Sequence, residues 1–376
     1  MRVMTVVGTR PELIRLSRVI ARLDTCAAHL LVHTGQNYDY ELNQVFFEEL
    51  GIRRPDVFLQ TDPSTLGRMI GTLMIQAEEL LLRERPDAVL ILGDTNSSLC
   101  CVIARRLRIP VFHMEAGNRS FDLNVPEEVN RRLVDHVCDV NLVYTEHARR
   151  NLLAEGLPAR QIYLSGSPMR EVLEHYRDGI AASPVLGELG LEPRGYLLAS
   201  LHREENVDNA RSLRLVLRTL NHVAETWKLP VLVSTHPRTA RRLEKLDEQS
   251  IHPALRFHKP FGFFAYVHLQ QQAFCVLSDS GTISEEAALL GFPAVTLRNS
   301  MERPEALDCG GIVLCGLEPP QVERAVRLVT AAGAAPGREI PRDYLARDVS
   351  ERVARLILGT APLLHRWNGI ETQDLQ

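Results

Sequence analysis

The sequence predicts an α/β fold built from two doubly wound parallel sheets. Apolar runs of strand length end in a glycine or a polar turn, and amphipathic helical stretches separate them. Because continuous apolar strands joined by helices are typical of parallel sheets covered on both faces, this alternation predicts Rossmann-like domains. The alternation occurs twice, and 376 residues are many for a single core, so we expect two domains.

The repeated alternation predicts a first domain over residues 1–168 and a second over residues 169–357. The helical stretch Met169–Ser183 is expected to bridge them, and the two domains are expected to face each other across a cleft that suits a nucleotide. Strands are predicted at Val3–Gly8, Leu30–Gly35, Ala88–Asp94, Val111–Gly117, Val140–Thr145, Ile162–Gly166, Tyr196–His202, Val231–His236, Arg256–Lys259, Phe274–Ser278, Ala294–Arg298 and Ile312–Cys315. Helical stretches include Leu13–Leu23, Leu66–Arg83 and Val349–Leu358.

Composition and charge exclude several classes of protein. A formal net charge of −4 argues against a nucleic-acid binder, which usually carries a basic surface. No apolar run reaches about 18 residues, so no membrane span is predicted, and Met1–Gly8 is interpreted as a buried strand rather than a signal peptide. Seven cysteines without a C-x-x-C pair indicate reduced thiols in a cytoplasmic protein that has no zinc site.

Acidic residues lie at or beside the ends of two consecutive predicted strands and open the next helix. Asp94 and Glu115 lie at strand ends, and Glu127 lies in the first turn of the following helix. Because ligands of open parallel sheets bind outside the carboxyl ends of the strands, the three acids are expected in one site. Converging carboxylates suit proton transfer at carbon. The structural alternative is that Asp94 caps a helix and Glu127 complements a helix dipole.

Two turns have the pattern of phosphate sites. After the first strand, Gly8–Glu12 places Arg10 at a helix N-terminus, where the dipole and the guanidinium attract a diphosphate. A surface salt bridge is the alternative for Arg10. In the second half, Ser278–Glu286 is a small-residue turn that opens a helix, the geometry of an anion-binding nest. The G-x-G-x-x-G fingerprint is absent, which argues against an NAD enzyme.

Two further candidates are expected to act on the substrate. One of Glu285 and Glu286 in the second turn is interpreted as a partner of ribose hydroxyls, although acids are favoured at helix N-termini without any ligand. His202 ends the first strand of the second domain, a position from which a histidine can reach a cleft. A structural histidine is the alternative.

Taken in order, these motifs resemble the non-hydrolysing UDP-N-acetylglucosamine 2-epimerases. The similarity spans almost the whole chain. It implies a GT-B-type architecture in which the C-terminal helix and tail, about residues 358–376, return to the first domain, and it implies a homodimer. The matching segments are Gly8–Glu12, Gly93–Thr95, His113–Gly117, Pro126–Arg131, His202–Glu204, Ser278–Gly281 and Glu302–Glu305.

The resemblance also implies roles for individual residues. Catalytic roles are implied for Asp94, Glu115, Glu127 and His202. Binding of a UDP-N-acetyl amino sugar is implied for Arg10, Arg15, Arg131, Ser280, Gly281, Thr282, Glu286 and Arg303. No metal and no other cofactor is expected to take part, and no membrane or nucleic-acid partner is expected.

Three departures from the family pattern narrow the choice of substrate. Arg15 replaces a lysine, Asn118 replaces a leucine, and Thr282 replaces the second glycine of S-D-S-G-G, which a threonine can do only where no positive φ is needed. Together with Gly35–Tyr40 and Pro260–Phe264, they resemble the subgroup that forms UDP-N-acetyl-L-fucosamine for capsule or O-antigen. The alternatives are epimerisation of UDP-N-acetylglucosamine to UDP-N-acetylmannosamine, a GT-B glycosyltransferase, a hydrolysing epimerase and a non-catalytic sugar-nucleotide sensor.

Overall fold

The structure is a computed structural model, described here over residues 1–36, 40–201, 210–235, 242, 251–331 and 339–370. It divides into two compact units. Unit 1 comprises Met1–His175 and Arg342–Gln376, and unit 2 comprises Tyr176–Pro341. Each unit contains a parallel sheet with helices between its strands, so the predicted fold class of two Rossmann-like sheets is confirmed.

The sheet of unit 1 has seven strands in the order β3-β2-β1-β4-β5-β6-β7. Strand order reverses between β1 and β4, and in such sheets ligands bind at this switch point, outside the carboxyl ends of the strands. The elements are β1 (Arg2–Val7), α1 (Arg10–Cys26), β2 (Ala28–His33), α2 (Tyr40–Glu49), β3 (Val57–Phe58), α3 (Leu66–Glu84), β4 (Ala88–Leu92), α4 (Cys101–Arg106), β5 (Val111–Ala116), α5 (Pro126–Val137), β6 (Val140–Val143), α6 (Glu146–Ala154), β7 (Ile162–Leu164) and α7 (Met169–His175).

The sheet of unit 2 has six strands in the order β10-β9-β8-β11-β12-β13, with its switch point between β8 and β11. The turn that follows β11 therefore lies where a ligand is expected. The elements are α8 (Arg177–Ala181), α9 (Val185–Leu189), β8 (Leu197–Ser200), α10 (Ala210–Trp227), β9 (Val231–Ser234), β10 (Leu255–His258), α11 (Phe263–Gln272), β11 (Cys275–Ser278), α12 (Ile283–Leu290), β12 (Ala294–Thr296), α13 (Pro304–Asp308), β13 (Val313–Leu314) and α14 (Pro319–Thr330).

The chain leaves and re-enters unit 1 through helices. The predicted helix Met169–Ser183 is two short helices, α7 and α8, because Tyr176 between them leaves the helical conformation and packs its ring on Phe263 and Phe264. The final helix, α15 (Val349–Trp367), packs against α1, where Glu351 pairs with Arg22 at 2.6 Å. The expected return of the C-terminal helix to the first domain is therefore confirmed.

The sheets are covered on both faces, as continuous apolar strands require. All five residues of β4 are buried, and so are all but the first residue of β1. The interpretation of Met1–Gly8 as a buried strand is confirmed, because β1 pairs with β2 on one side and β4 on the other. Among the described residues, no helix combines the length and apolar character needed to cross a bilayer.

Candidate functional site

The carboxyl end of β5 holds Glu115 in a backbone conformation that L-residues rarely adopt. Its φ is +67°, and the register of β5 with β6 shifts between Met114 and Ala116. Gly117 follows with φ +80°, and a β-carbon there would lie 2.4 Å from the carbonyl oxygen of Ala148. Strained residues of this kind persist only where the surroundings hold them, and they cluster at functional sites.

The carboxylate of Glu115 is held by Arg15 and Asn118. The guanidinium of Arg15, from α1, forms an ion pair with it, and both side chains are almost completely buried. The amide of Asn118 donates to Glu115 Oε1 at 3.3 Å. A β-carbon at Gly93 would lie 3.8 Å from Glu115 Oε2, so this carboxylate stands beside the residue that precedes Asp94. Strand ends β4 and β5 thus bring the predicted acids to one edge of the sheet.

Asp94 is bound by an arginine of α5. Arg131 Nη2 lies 2.6 Å from Asp94 Oδ2, and Arg131 Nη1 lies 3.1 Å from the buried Glu128. The side-chain amide of Asn130 donates to the carbonyl oxygen of Asp94 at 2.9 Å. Glu127 is half-buried and lies one helical turn before Arg131, on the same side of α5. The structure therefore joins Asp94 to α5, the helix that carries the third predicted acid.

The turn after β1 contains a buried acid that sequence reasoning did not single out. Glu12 accepts hydrogen bonds from the backbone amides of Gly8 and Thr9 and, at 2.6 Å, from the hydroxyl of Thr95. Burial raises the pKa of the Glu12 carboxyl from 4.5 to about 7, against these three hydrogen bonds, and Asp94 adds a smaller upward contribution. Glu12 is therefore a buried acid with a raised pKa beside the predicted site.

This geometry changes the interpretation of the first phosphate turn. The sequence suggested that the start of α1 offers an anion site, but the amides of Gly8 and Thr9 already donate to the protein's own carboxylate. Arg10, the first residue of α1, places its guanidinium 5.6 Å from the centre of the Phe46 ring. These two amides are therefore already occupied, and a diphosphate-binding role for Arg10 stays a prediction.

Arg119 binds two acids other than the predicted ones. Although it follows Glu115 closely in sequence, its guanidinium is buried and bridges Asp135, at 2.7 Å, and Glu155, at 2.7 and 2.8 Å. Burial lowers the pKa of Arg119, but the bonds to the two acids outweigh it and raise this pKa above its ordinary value. The bond to Arg119 lowers the pKa of Glu155 to about 2. Arg119 is a structural residue that ties α5 to the end of α6.

In unit 2, the turn after β11 consists of small residues and opens a helix, as the sequence predicts. Thr282 has φ −79° and ψ −19°, so no positive φ is needed there and the condition for a threonine at this position is met. The hydroxyls of Ser280 and Thr282 lie 2.9 Å apart, and Ser284 donates to the carbonyl oxygen of Gly281 at 3.2 Å. The turn opens α12 and presents two hydroxyl groups at its start.

The remaining candidates of unit 2 have protein partners. Glu286 accepts a hydrogen bond from Gln270 at 2.6 Å, and it is buried. The guanidinium of Arg303 forms a buried ion pair with Glu285. This ion pair anchors α13 to α12. A role for Arg303 at the substrate stays a prediction. His202 lies outside the described residues.

For two buried acids, Glu12 and Asp135, the sequence contains a spacing that predicts part of their contacts. Glu12 stands three residues after Thr9, the spacing of a capping box, which accounts for its bonds to the start of α1. Asp135 lies one turn after Arg131, a spacing that places both on one side of α5. Neither pattern predicts burial, because burial depends on how each helix packs on the sheet.

Comparison with known proteins identifies the family. The family model described as UDP-N-acetylglucosamine 2-epimerase matches residues 22–358. A solved UDP-N-acetylglucosamine 2-epimerase of Rickettsia bellii is 44% identical, with a TM-score of 0.92 over 99% of this chain and 100% of that one. The Methanocaldococcus jannaschii UDP-GlcNAc 2-epimerase, crystallised with UDP-GlcNAc and UDP, is 33% identical, with a TM-score of 0.90 over 96% of this chain and 100% of that one.

A curated relative carries a different substrate in its name. The UDP-2,3-diacetamido-2,3-dideoxy-D-glucuronate 2-epimerase of Pseudomonas aeruginosa is 34% identical over 367 residues, which are 95% of this chain and 99% of the relative. The structural matches confirm the predicted GT-B-type α/β architecture. The chain therefore belongs to the UDP-N-acetylglucosamine 2-epimerase family, whose members are isomerases acting on UDP-sugars.

Proposed function

We propose that the protein inverts C2 of UDP-2-acetamido-2,6-dideoxy-L-talose to form UDP-N-acetyl-L-fucosamine for surface polysaccharide synthesis. The observation that carries the proposal is a pair of arginine-bound acids at neighbouring strand ends: Asp94 with Arg131, and Glu115 with Arg15. Inversion removes a proton from one face of a carbon and returns one to the other face. Two carboxylates at one sheet edge supply the two proton-handling groups.

The proposed reaction is an elimination followed by an addition. The C2 proton has no neighbouring carbonyl and is a weak acid, so its removal accompanies cleavage of the bond between C1 and the diphosphate. The electron pair of the C2–H bond forms an alkene, and the C1–O pair leaves with UDP. Protonation of C2 from the opposite face and return of UDP to C1 give the epimer. We propose that the Ser280–Thr282 turn stabilises the departing diphosphate.

Two departures from the family pattern support the L-sugar. Arg15 and Asn118 stand where the resemblance leads us to expect lysine and leucine, and both contact the carboxylate of Glu115. A forked guanidinium and an amide therefore replace a point charge and an apolar side chain beside a candidate acid. The Pseudomonas aeruginosa relative is named for a glucuronate sugar, which supports the view that the sugar of the substrate varies within the family.

Proton NMR in D₂O tests the reaction and its substrate together. The purified protein is incubated separately with the L-talose-derived nucleotide and with UDP-N-acetylglucosamine. We expect deuterium at C2 and a new epimer from the first, with a higher kcat/KM than from the second. Accumulation of free UDP would indicate a hydrolase, and no change with either nucleotide would contradict epimerisation.

UDP-N-acetylglucosamine as the true substrate is the second candidate. A specific observation favours it, because the 33% identical Methanocaldococcus jannaschii enzyme was crystallised with that nucleotide. A higher kcat/KM for UDP-N-acetylglucosamine in the NMR assay would establish it in place of the L-sugar. A cytoplasmic homodimer stays a prediction for either substrate.

Replacement with glutamine tests Glu115, one acid of the proposed pair, and Glu127, the third acid that the sequence predicts. Glu115→Gln and Glu127→Gln should each lower kcat by at least about 10²-fold while UDP affinity stays largely intact, because glutamine keeps the shape but cannot accept a proton. Glu146→Gln is the control, since Glu146 is also an acid in a first helical turn and pairs with Arg149 on its own helix. Full turnover by Glu115→Gln would contradict the proposed pair, and full turnover by Glu127→Gln would show that Glu127 handles no proton.

A further inference from the structure

Asp135 is a fully buried carboxylate of α5 that contacts both sides of the strained segment around Glu115. Its Oδ2 accepts hydrogen bonds from the backbone amide of Gly117 at 3.1 Å and from Arg119 Nη1 at 2.7 Å. Its Oδ1 lies 2.9 Å from Nδ1 of His113, a close contact without hydrogen-bond geometry. His113 and Gly117 stand two residues before and two residues after Glu115.

The contact with His113 extends to the neighbouring strand. Nε2 of His113 donates to the carbonyl oxygen of Gly93 at 2.9 Å, since a carbonyl oxygen can only accept. Gly93 has φ +73° and immediately precedes Asp94. One buried carboxylate therefore connects the turn that carries Glu115 with the turn that carries Asp94.

The conformation of Glu115 requires such support. With φ +67° its backbone is strained, and a strained residue stays in place only if its surroundings over-determine it. Asp135 fixes the amide of Gly117 directly, and the same helix carries Arg131, which binds Asp94. Helix α5 therefore holds both turns from one side.

We propose that Asp135 is a positioning residue for proton transfer at C2, holding the Glu115 turn in its strained conformation and in register with the Asp94 turn. The proposal rests on the proposed function, in which Glu115 handles a proton. It assigns Asp135 no contact with the substrate. Its effect should therefore fall on kcat, while substrate binding should change little.

The variant Asp135→Asn tests the proposal, and Glu155→Gln is its matched control. Both variants remove a carboxylate that binds Arg119, but only Asp135 also binds Gly117 and contacts His113. Asp135→Asn should lower kcat about 10²-fold, the usual scale for a displacement of about 1 Å at a reacting group, with KM and the Kd of UDP changed less than about twofold. Glu155→Gln should keep kcat.

Three results would overturn the positioning role. They are an unchanged kcat in Asp135→Asn, equal losses of kcat in Asp135→Asn and Glu155→Gln, or a loss in Asp135→Asn that appears in KM alone. If circular dichroism shows that Asp135→Asn is unfolded, His113→Gln replaces it, because this change removes the ring contact and leaves the bond to Gly117. His113→Gln should then lower kcat at unchanged KM, and an unchanged kcat would overturn the proposal.

A parallel measurement separates this inference from the proposed function. Glu115→Gln is assayed beside the other variants, and the double variant with Asp135→Asn should be no slower than Glu115→Gln alone. Full turnover by Glu115→Gln would overturn the role of Glu115 and the positioning role together. An inactive Glu115→Gln beside a fully active Asp135→Asn would overturn only the positioning role.

Discussion

Replacing Glu12 by glutamine should change how the stability of the protein depends on pH. Burial raises the pKa of the folded carboxyl from 4.5 to about 7, so the folded protein keeps a proton that the unfolded chain releases. Because the folded state then binds more protons, the contribution of Glu12 to stability is fully present below pH 4.5 and is lost as pH rises to about 7. About 2.5 pH units at about 1.36 kcal/mol per unit give a loss of about 3 kcal/mol.

Urea unfolding between pH 4 and pH 8 measures this effect. The free energy of unfolding of the wild type should fall by about 3 kcal/mol relative to Glu12→Gln between pH 4.5 and pH 7. Glu155→Gln is the control of opposite sign: hydrogen bonding to Arg119 lowers the pKa of Glu155 to about 2, so its contribution is lost only below pH 4.5. Parallel curves for the wild type and Glu12→Gln from pH 4.5 to pH 7 would refute the reasoning, since Glu12 would then be ionised in the fold.

Three further substitutions test other parts of the site. Arg10→Ala should weaken UDP binding by about 2–4 kcal/mol, by analogy with truncating one partner of a buried charge pair, and an unchanged affinity in calorimetry would remove Arg10 from the site. Arg131→Lys should lower kcat/KM at least about tenfold, because an ammonium cannot reproduce the fork between Asp94 and Glu128, and wild-type kinetics would contradict this. Thr282→Gly should cost about 0.5–1 kcal/mol in urea unfolding without tightening UDP binding, because φ is −79° and glycine relieves no strain, so a more stable variant would argue against this geometry.

The sequence predicts the positions of the acids better than it predicts their partners. Asp94 and Glu115 were expected at one sheet edge because apolar runs and helical spacing predict parallel strands, and parallel strands end on the same side. The pairing of Arg15 with Glu115 joins residues a hundred positions apart, which only the packing of α1 on the sheet decides. The register of a long-range contact has no local signal, so this partner of the acid could not be predicted from the residues.

Backbone strain is the second feature that escapes sequence reasoning. A positive φ is predictable at glycine, as at Gly93 and Gly117, because glycine has no β-carbon. At Glu115 the same region is occupied by a residue that disfavours it, and its surroundings, including the bond from Gly117 to Asp135, hold it there. At Glu115, local preference and structure therefore disagree inside the candidate site.

Gly117→Ala, compared with Gly156→Ala, separates the two reasons why a glycine follows Glu115. The two glycines have similar φ values, +80° and +87°, so alanine at either should cost about 1–2 kcal/mol through the left-handed conformation. Only at Gly117 would the new β-carbon meet the carbonyl oxygen of Ala148, at 2.4 Å, whereas at Gly156 no described atom lies within 4 Å.

Overpacking of this kind costs about a further 1–3 kcal/mol, so urea unfolding should show a larger loss for Gly117→Ala. Because the clash pushes on the turn that carries Glu115, Gly117→Ala should also lose turnover, while Gly156→Ala should keep it. Equal losses of stability together with equal turnover would show that the Ala148 carbonyl gives way and that the close approach does not hold Glu115 in place.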